Sequence, residues 1–136
     1  MMISTRGRYA IRFMMDLADQ STDKPVPLDE TAARQDISKK YLETIVKILV
    51  RGKLVKGTSG KGGGYCLMRS PEEYTVGEIL ELTEGTLATV ACLGADAEKC
   101  PRESICKTLP MWKKFDNMVH DYFFNITLAD LVNQIF

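Results

Sequence analysis

Apolar residues recur at three- and four-residue spacing through several stretches of this chain, and alternate like a strand in only one short region. The clearest helical stretch follows Ser38. Leu42, Ile45, Val46, Leu49 and Val50 form one apolar stripe, with Lys39, Lys40, Glu43, Thr44, Lys47 and Arg51 on the opposite face. Ser38 can accept an orphan amide of the first turn, and Gly52 stands where a left-handed C-terminal cap belongs. Then Leu54-Val55 and Tyr65-Cys66-Leu67-Met68 read as two short strands around a loop holding Gly57, Gly60, Gly62, Gly63 and Gly64.

Upstream, Ser4 or Thr5 caps a first helix with Ile11, Met14 or Met15, Leu17 and Ala18 on its apolar face. It ends before Lys24-Pro25-Val26-Pro27, because each proline disfavours helix in the residue before it. Asp29 is expected to cap a short second helix from Glu30 to about Gln35, and Asp36-Ile37 turns into the Ser38 helix. Downstream, Thr75-Val76-Gly77-Glu78 has the pattern of a capping box opening a helix with Ile79, Leu80 and Leu82 inside, closed by Gly85. Residues 86–109 show no steady period. A stretch of that length without structure of its own is usually functional or disordered. Pro110 suits the first turn of a long helix carrying Trp112, Phe115, Met118 or Val119, Tyr122, Phe123 and Ile126. Thr127-Leu128-Ala129-Asp130 is a second capping box, opening a short helix with Leu131, Val132 and Ile135.

Two helices joined by so short a turn make a helix-turn-helix, and a helix followed at once by a basic, glycine-rich hairpin makes it winged. The expected fold is mostly α: a winged helix-turn-helix with a small β-hairpin wing and a long C-terminal dimerisation helix. Its divisions are a DNA-binding domain over 1–84, a cysteine-containing sensor loop over 85–109, and the dimerisation helix with a short terminal helix over 110–136. The tail looks too apolar to pack only on its own small domain, which points to a homodimer interface in preference to an intrachain core. Helix-turn-helix proteins generally need two copies to read two half-sites.

Charge sharpens this picture. The 136 residues have a formal net charge of zero, which hides an asymmetry. Residues 1–69 carry 13 Lys+Arg against 7 Asp+Glu, and residues 70–136 carry 5 against 11. A basic half therefore adjoins an acidic half with another task. Lys39 to Lys61 holds seven Lys or Arg and one acid, Glu43, a surface suited to a phosphate backbone. No apolar run approaches the roughly 20 residues of a membrane span, and Arg6, Arg8 and Arg12 interrupt any signal-peptide pattern. The expected location is the cytoplasm. There, four cysteines serve as metal ligands, redox groups or buried thiols in preference to disulfides.

Each candidate site has a plainer alternative. Gly60-Lys61-Gly62-Gly63-Gly64 is neither a dinucleotide fingerprint nor a phosphate-binding P-loop, since the spacings fail and a strand follows where a helix should. It is either a flexible turn or a wing, flanked by Lys56 and Lys61, whose glycines permit close approach to DNA. Lys39, Lys40 and Lys47 suit phosphates or a solvated face. Glu43 can accept from a cytosine amine, or pair with Lys39 or Lys47 four residues away. Cys92, Cys100 and Cys106 lack the paired spacing of a zinc finger. They suit an iron–sulfur cluster short of its usual four ligands, redox thiols, or inert cysteines. A fourth ligand could come from Asp96, Glu98, Glu103, His120 or a partner subunit. Cys66, alternating with Tyr65 and Leu67, reads as core. The single histidine, with no motif setting a base beside a cysteine, argues against a thiol enzyme.

With these residues in place, the chain resembles the IscR/NsrR-type (Rrf-type) family of winged helix-turn-helix iron–sulfur regulators over nearly its whole length. The resemblance lies in Ser4-Thr5-Arg6-Gly7-Arg8-Tyr9-Ala10, Pro25-Val26-Pro27-Leu28, Ile37-Ser38-Lys39-Lys40-Tyr41-Leu42-Glu43, Gly62-Gly63-Gly64-Tyr65, Val76-Gly77-Glu78-Ile79 and Asn125-Ile126-Thr127-Leu128. The three-cysteine loop followed by Trp112 completes it. The resemblance implies a homodimeric repressor or activator of palindromic duplex operators whose affinity follows its cluster state. Cys92, Cys100 and Cys106 would ligate the cluster, of the two-iron two-sulfur in preference to the four-iron four-sulfur type. Ser38, Lys39, Lys40, Tyr41, Glu43, Thr44 and Lys47 would face the operator, with Ser59 and Lys61 in the wing. The chain departs from the pattern in the gap between its first two cysteines, which is longer by about two residues, and at three positions. The family's histidine three residues after the last cysteine is Leu109 here, an acidic ligand near the N-terminus matches Arg8, and the wing arginine matches Ser59. The same regulator without a cluster, sensing by thiol chemistry or through a partner protein, is the alternative.

Overall fold

Four of the helices begin where a hydroxyl takes an otherwise orphaned amide. Ser4 accepts from Gly7, Ser38 from Tyr41, Thr75 from Glu78 and Thr127 from Asp130. The computed structural model describes residues 2–20 and 24–136. In order these form α1 (Thr5–Asp19), α2 (Leu28–Gln35), α3 (Lys39–Arg51), β1 (Val55–Thr58), β2 (Gly64–Leu67), α4 (Val76–Glu84), α5 (Leu109–Phe124) and α6 (Leu128–Asn133). The two strands pair antiparallel, with Val55 opposite Leu67 and Thr58 opposite Gly64. A mostly helical winged helix-turn-helix is therefore the observed architecture.

Phe13, Met14, Leu42, Ile45, Leu49, Ile79 and Leu128 are fully buried in one core that draws on α1, α3, α4 and α6. Each such side chain contributes about 1.5–3 kcal/mol at the upper bound. α6 belongs to this core. Leu128 donates its amide to Tyr74 O at 3.0 Å, and Val76 donates to Ile126 O at 2.8 Å. After α5 the chain thus returns to the helix-turn-helix unit. Ile126, expected at the end of the long helix, lies beyond it and is buried beside Val76 and Leu80.

Several local expectations are corrected. α2 starts one residue before Asp29, with Pro27 at the N-cap, so Asp29 lies in the first turn and does not cap. Gly52 has φ −79°, and Lys53, at φ 61°, makes the left-handed turn instead. Gly52 is needed for space, because a Cβ there would overlap the Leu82 side chain. Val50 is 39% exposed and leaves the apolar stripe, which Leu42, Ile45, Val46 and Leu49 alone complete. β1 begins after Leu54, which is buried ahead of the strand, and Met68 falls outside β2 and is exposed. At Thr75 only half of the capping box forms, because the Glu78 carboxylate turns to Arg69 at 2.6 Å. Cys66 is half-buried, not core, since a two-stranded wing has no layer covering its second face.

The wing is tied down at its base. Val26 and Tyr65 exchange amide-to-carbonyl hydrogen bonds at 2.8 and 2.9 Å, which brings the α1–α2 connection beside β2. Gly64 permits this approach: its φ is +156°, and a Cβ would collide with the Val26 carbonyl. Tyr74, fully buried, donates its hydroxyl to Leu54 O at 2.5 Å and accepts from the amides of Met68 and Arg69.

Candidate nucleic-acid interface and cysteine pocket

The 13-residue helix α3 and the hairpin that follows it enclose a cleft of about 590 Å³. Lys39, Glu43 and Lys47 line it from α3, Thr58, Ser59, Gly63 and Gly64 from the wing, and Pro27 and Leu28 from the start of α2. The four-residue spacing of the charged side chains sets them on one helical face, and the Val26–Tyr65 bridge holds the wing opposite. The cleft is open to solvent, and its charged side chains all come from the α3 wall.

Not every candidate faces this cleft. Ser38 is engaged in capping, and Thr44 donates its hydroxyl to Tyr41 O at 2.6 Å. Tyr41 meets Tyr9 of α1 edge-on, with ring centroids 5.8 Å apart. Lys40 and Lys61 are exposed outside the cleft lining. Lys39 does not pair with Glu43. Its ammonium lies 2.6 Å from Asp29 Oδ1 on α2, and that hydrogen bond raises the lysine's pKa above its ordinary value. Sequence reasoning missed Asp29 as a partner because no local spacing rule joins the first turns of two successive helices.

α2 is itself fixed to α1 by a buried carboxylate. Asp16, 2% exposed, accepts from Thr31 at 2.8 Å and from the Arg34 fork at 2.9 and 2.8 Å. Burial pushes this carboxyl up, but the Arg34, Thr31 and Gln35 hydrogen bonds outweigh it and hold the pKa below the usual range. Arg12, stacked 5.0 Å over Tyr9, donates to Gln35 O at the end of α2. These bonds set the angle at which α2 presents α3.

The 86–109 segment contains two short 3-10 turns, Ala91–Leu93 and Glu103–Ile105. Cys92, Cys100 and Cys106 line one pocket of about 380 Å³ together with Glu98, Lys99, Glu103 and Lys113. Of the four candidate oxygen or nitrogen ligands, Glu98 and Glu103 reach this pocket, whereas Asp96 and His120 are not in its lining. His120 stacks on Phe124 at 4.2 Å. Cys106 Sγ lies 3.3 Å from Thr108 Oγ1, and the Thr108 hydroxyl and then its amide pull the thiol below its ordinary pKa. Three soft donors around one pocket, with Lys99 and Lys113 to offset thiolate charge, suit a metal cluster chemically. Among the described residues, however, no three His, Cys, Asp or Glu side chains converge closely enough to hold an ion as they stand.

On α5, Met111, Trp112, Phe115, Met118 and Tyr122 are 37–61% exposed, and none of the helix's residues is buried. No helix among the described residues is long and apolar enough to cross a membrane.

Comparison with known proteins agrees with this architecture. The HTH-type transcriptional regulator IscR of Pectobacterium carotovorum is 36% identical over 134 residues, covering 98% of this chain and 80% of the relative. The solved structure of CymR, the global cysteine regulator of B. subtilis, superposes with a TM-score of 0.80 at 33% identity, covering 98% of both chains. That of T. potens IscR superposes with a TM-score of 0.76 at 30% identity, covering 98% of this chain and 88% of the other. The family model described as Rrf2, iron-dependent transcriptional regulator, matches residues 3–134. With the wing, the helix-turn-helix and the three-cysteine segment all in place, the chain belongs to the Rrf2 family: it is a transcriptional regulator with a DNA-binding fold, not an enzyme.

Proposed function

We propose that this regulator binds palindromic double-stranded operators as a cytoplasmic homodimer. The α3 face enters the major groove while the wing lies over the adjoining backbone. The observation that carries the reading is the cleft that sets Lys39, Glu43 and Lys47 opposite Thr58, Ser59 and the wing glycines. Lysines on such a wall neutralise phosphates, and Glu43 accepts from an exposed base amine. The bare apolar side of α5 supports the dimer, since side chains such as Trp112 and Phe115 gain most by packing on a second copy. Light scattering should give twice the chain mass, and Phe115→Glu should halve it.

The cofactor reading is an iron–sulfur cluster held by Cys92, Cys100 and Cys106, supported by their common pocket and by the family's description as iron-dependent. When bound, such a group supplies a charge that changes with its redox state and ligands. The chain's part is positional. As ligands, Cys92 in the 3-10 turn before Gly94 and Cys106 just ahead of α5 would hold those two parts of the segment together, which would bias the arrangement of α5 against α4. The test is an absorption spectrum with iron and acid-labile sulfide counts on protein purified without oxygen. Coloured protein with both elements supports the cluster, and Cys100→Ala should remove it while leaving the dimer folded. Colourless protein that still binds duplex DNA supports the second reading, a cluster-free regulator. That reading draws on the unconverged thiols and on the likeness to CymR.

A further inference from the structure

We propose that Asp29 is a built-in competitor for DNA phosphate at Lys39, lowering the sequence-independent part of the protein's DNA affinity. The inference rests on the DNA-binding reading above and extends it to a residue outside the recognition helix. Lys39 is the first residue of α3 and lines the cleft between that helix and the wing. Its ammonium is not available there without cost, because Asp29 Oδ1 lies 2.6 Å away.

Three features make Asp29 a persistent competitor. It sits in the first turn of α2, where the helix dipole favours a carboxylate. The neighbouring acid, Glu30, is turned toward Arg34 at 3.7 Å and does not share Lys39. The Asp16 network also anchors α2 to α1, so Asp29 keeps its place beside α3.

The consequence follows from counterion release. A free lysine that binds a phosphate releases a condensed cation, and this drives sequence-independent binding. A lysine already paired with a carboxylate must either give up that pair or carry the carboxylate's charge toward the phosphates, so its net contribution to sequence-independent binding and to the salt slope is smaller. Lys47, in the same cleft, has no such partner among the described contacts, so the two lysines should behave differently.

The test uses the intact protein and a labelled random-sequence duplex of about 30 base pairs, with affinity measured across a salt series. Asp29→Asn should tighten binding about two- to fivefold at low salt and steepen the log–log salt slope by about 0.9. Asp29→Glu should stay near wild type. In a Lys39→Ala background, Asp29→Asn should lose most of its effect. An equal gain in that background would show Asp29 acting only as a nearby negative charge, and would overturn the proposal. Weaker binding by Asp29→Asn with a lowered melting temperature would make Asp29 a structural tie, and would also overturn it. Wild-type protein that binds no duplex even at low salt would instead overturn the DNA-contact reading itself.

Discussion

Thr89 donates both its backbone amide and its hydroxyl to one carboxylate oxygen of Asp116, at 2.8 and 2.9 Å. The pair fastens the start of the cysteine segment to the middle of α5, three residues before Cys92. Charge-assisted bonds of this kind contribute about 1–2 kcal/mol when partly buried. Asp116→Ala should therefore speed proteolytic cleavage within residues 86–109 about five- to thirtyfold. The global unfolding midpoint should change little. Unchanged cleavage rates would mean that the segment is held elsewhere.

Asp16 gives a prediction with a definite pH sign. Its folded pKa is lowered from the ordinary 3.8, so the carboxylate's contribution is fully present above that value. It is lost as the pH falls through 3.8 and below, where Arg34 and Thr31 lose an ionised acceptor. Asp16→Asn removes the ionised acceptor of the Arg34 fork, leaving Arg34 only Glu30 at 3.7 Å, and should cost about 2 kcal/mol near neutral pH. Urea titrations of both proteins should converge as the pH drops below the ordinary carboxylate range. Parallel curves down to pH 2 would show that the coupling is absent.

Two glycines separate space from conformation. At Gly52 the backbone suits any residue, and an added Cβ meets the Leu82 side chain, most closely its two end carbons, so Gly52→Ala should cost about 1 kcal/mol. At Gly64 the φ of +156° is strained for alanine and the obstacle is the Val26 carbonyl, so Gly64→Ala should cost about 2–3 kcal/mol. Denaturant midpoints at constant m-value decide the order of the two. Only Gly64→Ala should also weaken DNA binding, because it releases the wing from the α1–α2 connection.

Tyr74→Phe tests the base of the wing. The hydroxyl serves one carbonyl and two amides inside a fully buried site, and its loss leaves Leu54 O unsatisfied. The expected loss is about 1–3 kcal/mol. Faster hydrogen exchange at the Met68 and Arg69 amides is the diagnostic readout.

Much of the molecule is legible in the amino-acid sequence, because much of it is local. Helix starts at Ser4, Ser38, Thr75 and Thr127 depend on a hydroxyl within three residues of the amide it accepts. The apolar stripe of α3 and the hairpin after it follow from spacing and from glycines, and together they give the winged helix-turn-helix. Residue type and a shared segment single out Cys92, Cys100 and Cys106 in the sequence, and the fold sets all three around one pocket.

The tertiary structure decided what depends on residues far apart in the chain. Asp29 serves Lys39 and not its own helix start, Glu78 turns to Arg69 and so leaves its capping box half made, and Gly52 answers to Leu82, thirty residues on. α6 packs on α1 because Leu128 completes a core begun by Phe13, although the adjoining α5 buries none of its residues. The physical reason is range. Caps and amphipathic periods act over three or four residues and can be read from the chain itself. Ion pairing, close approach and burial depend on which elements meet, and that is decided only when the whole core forms.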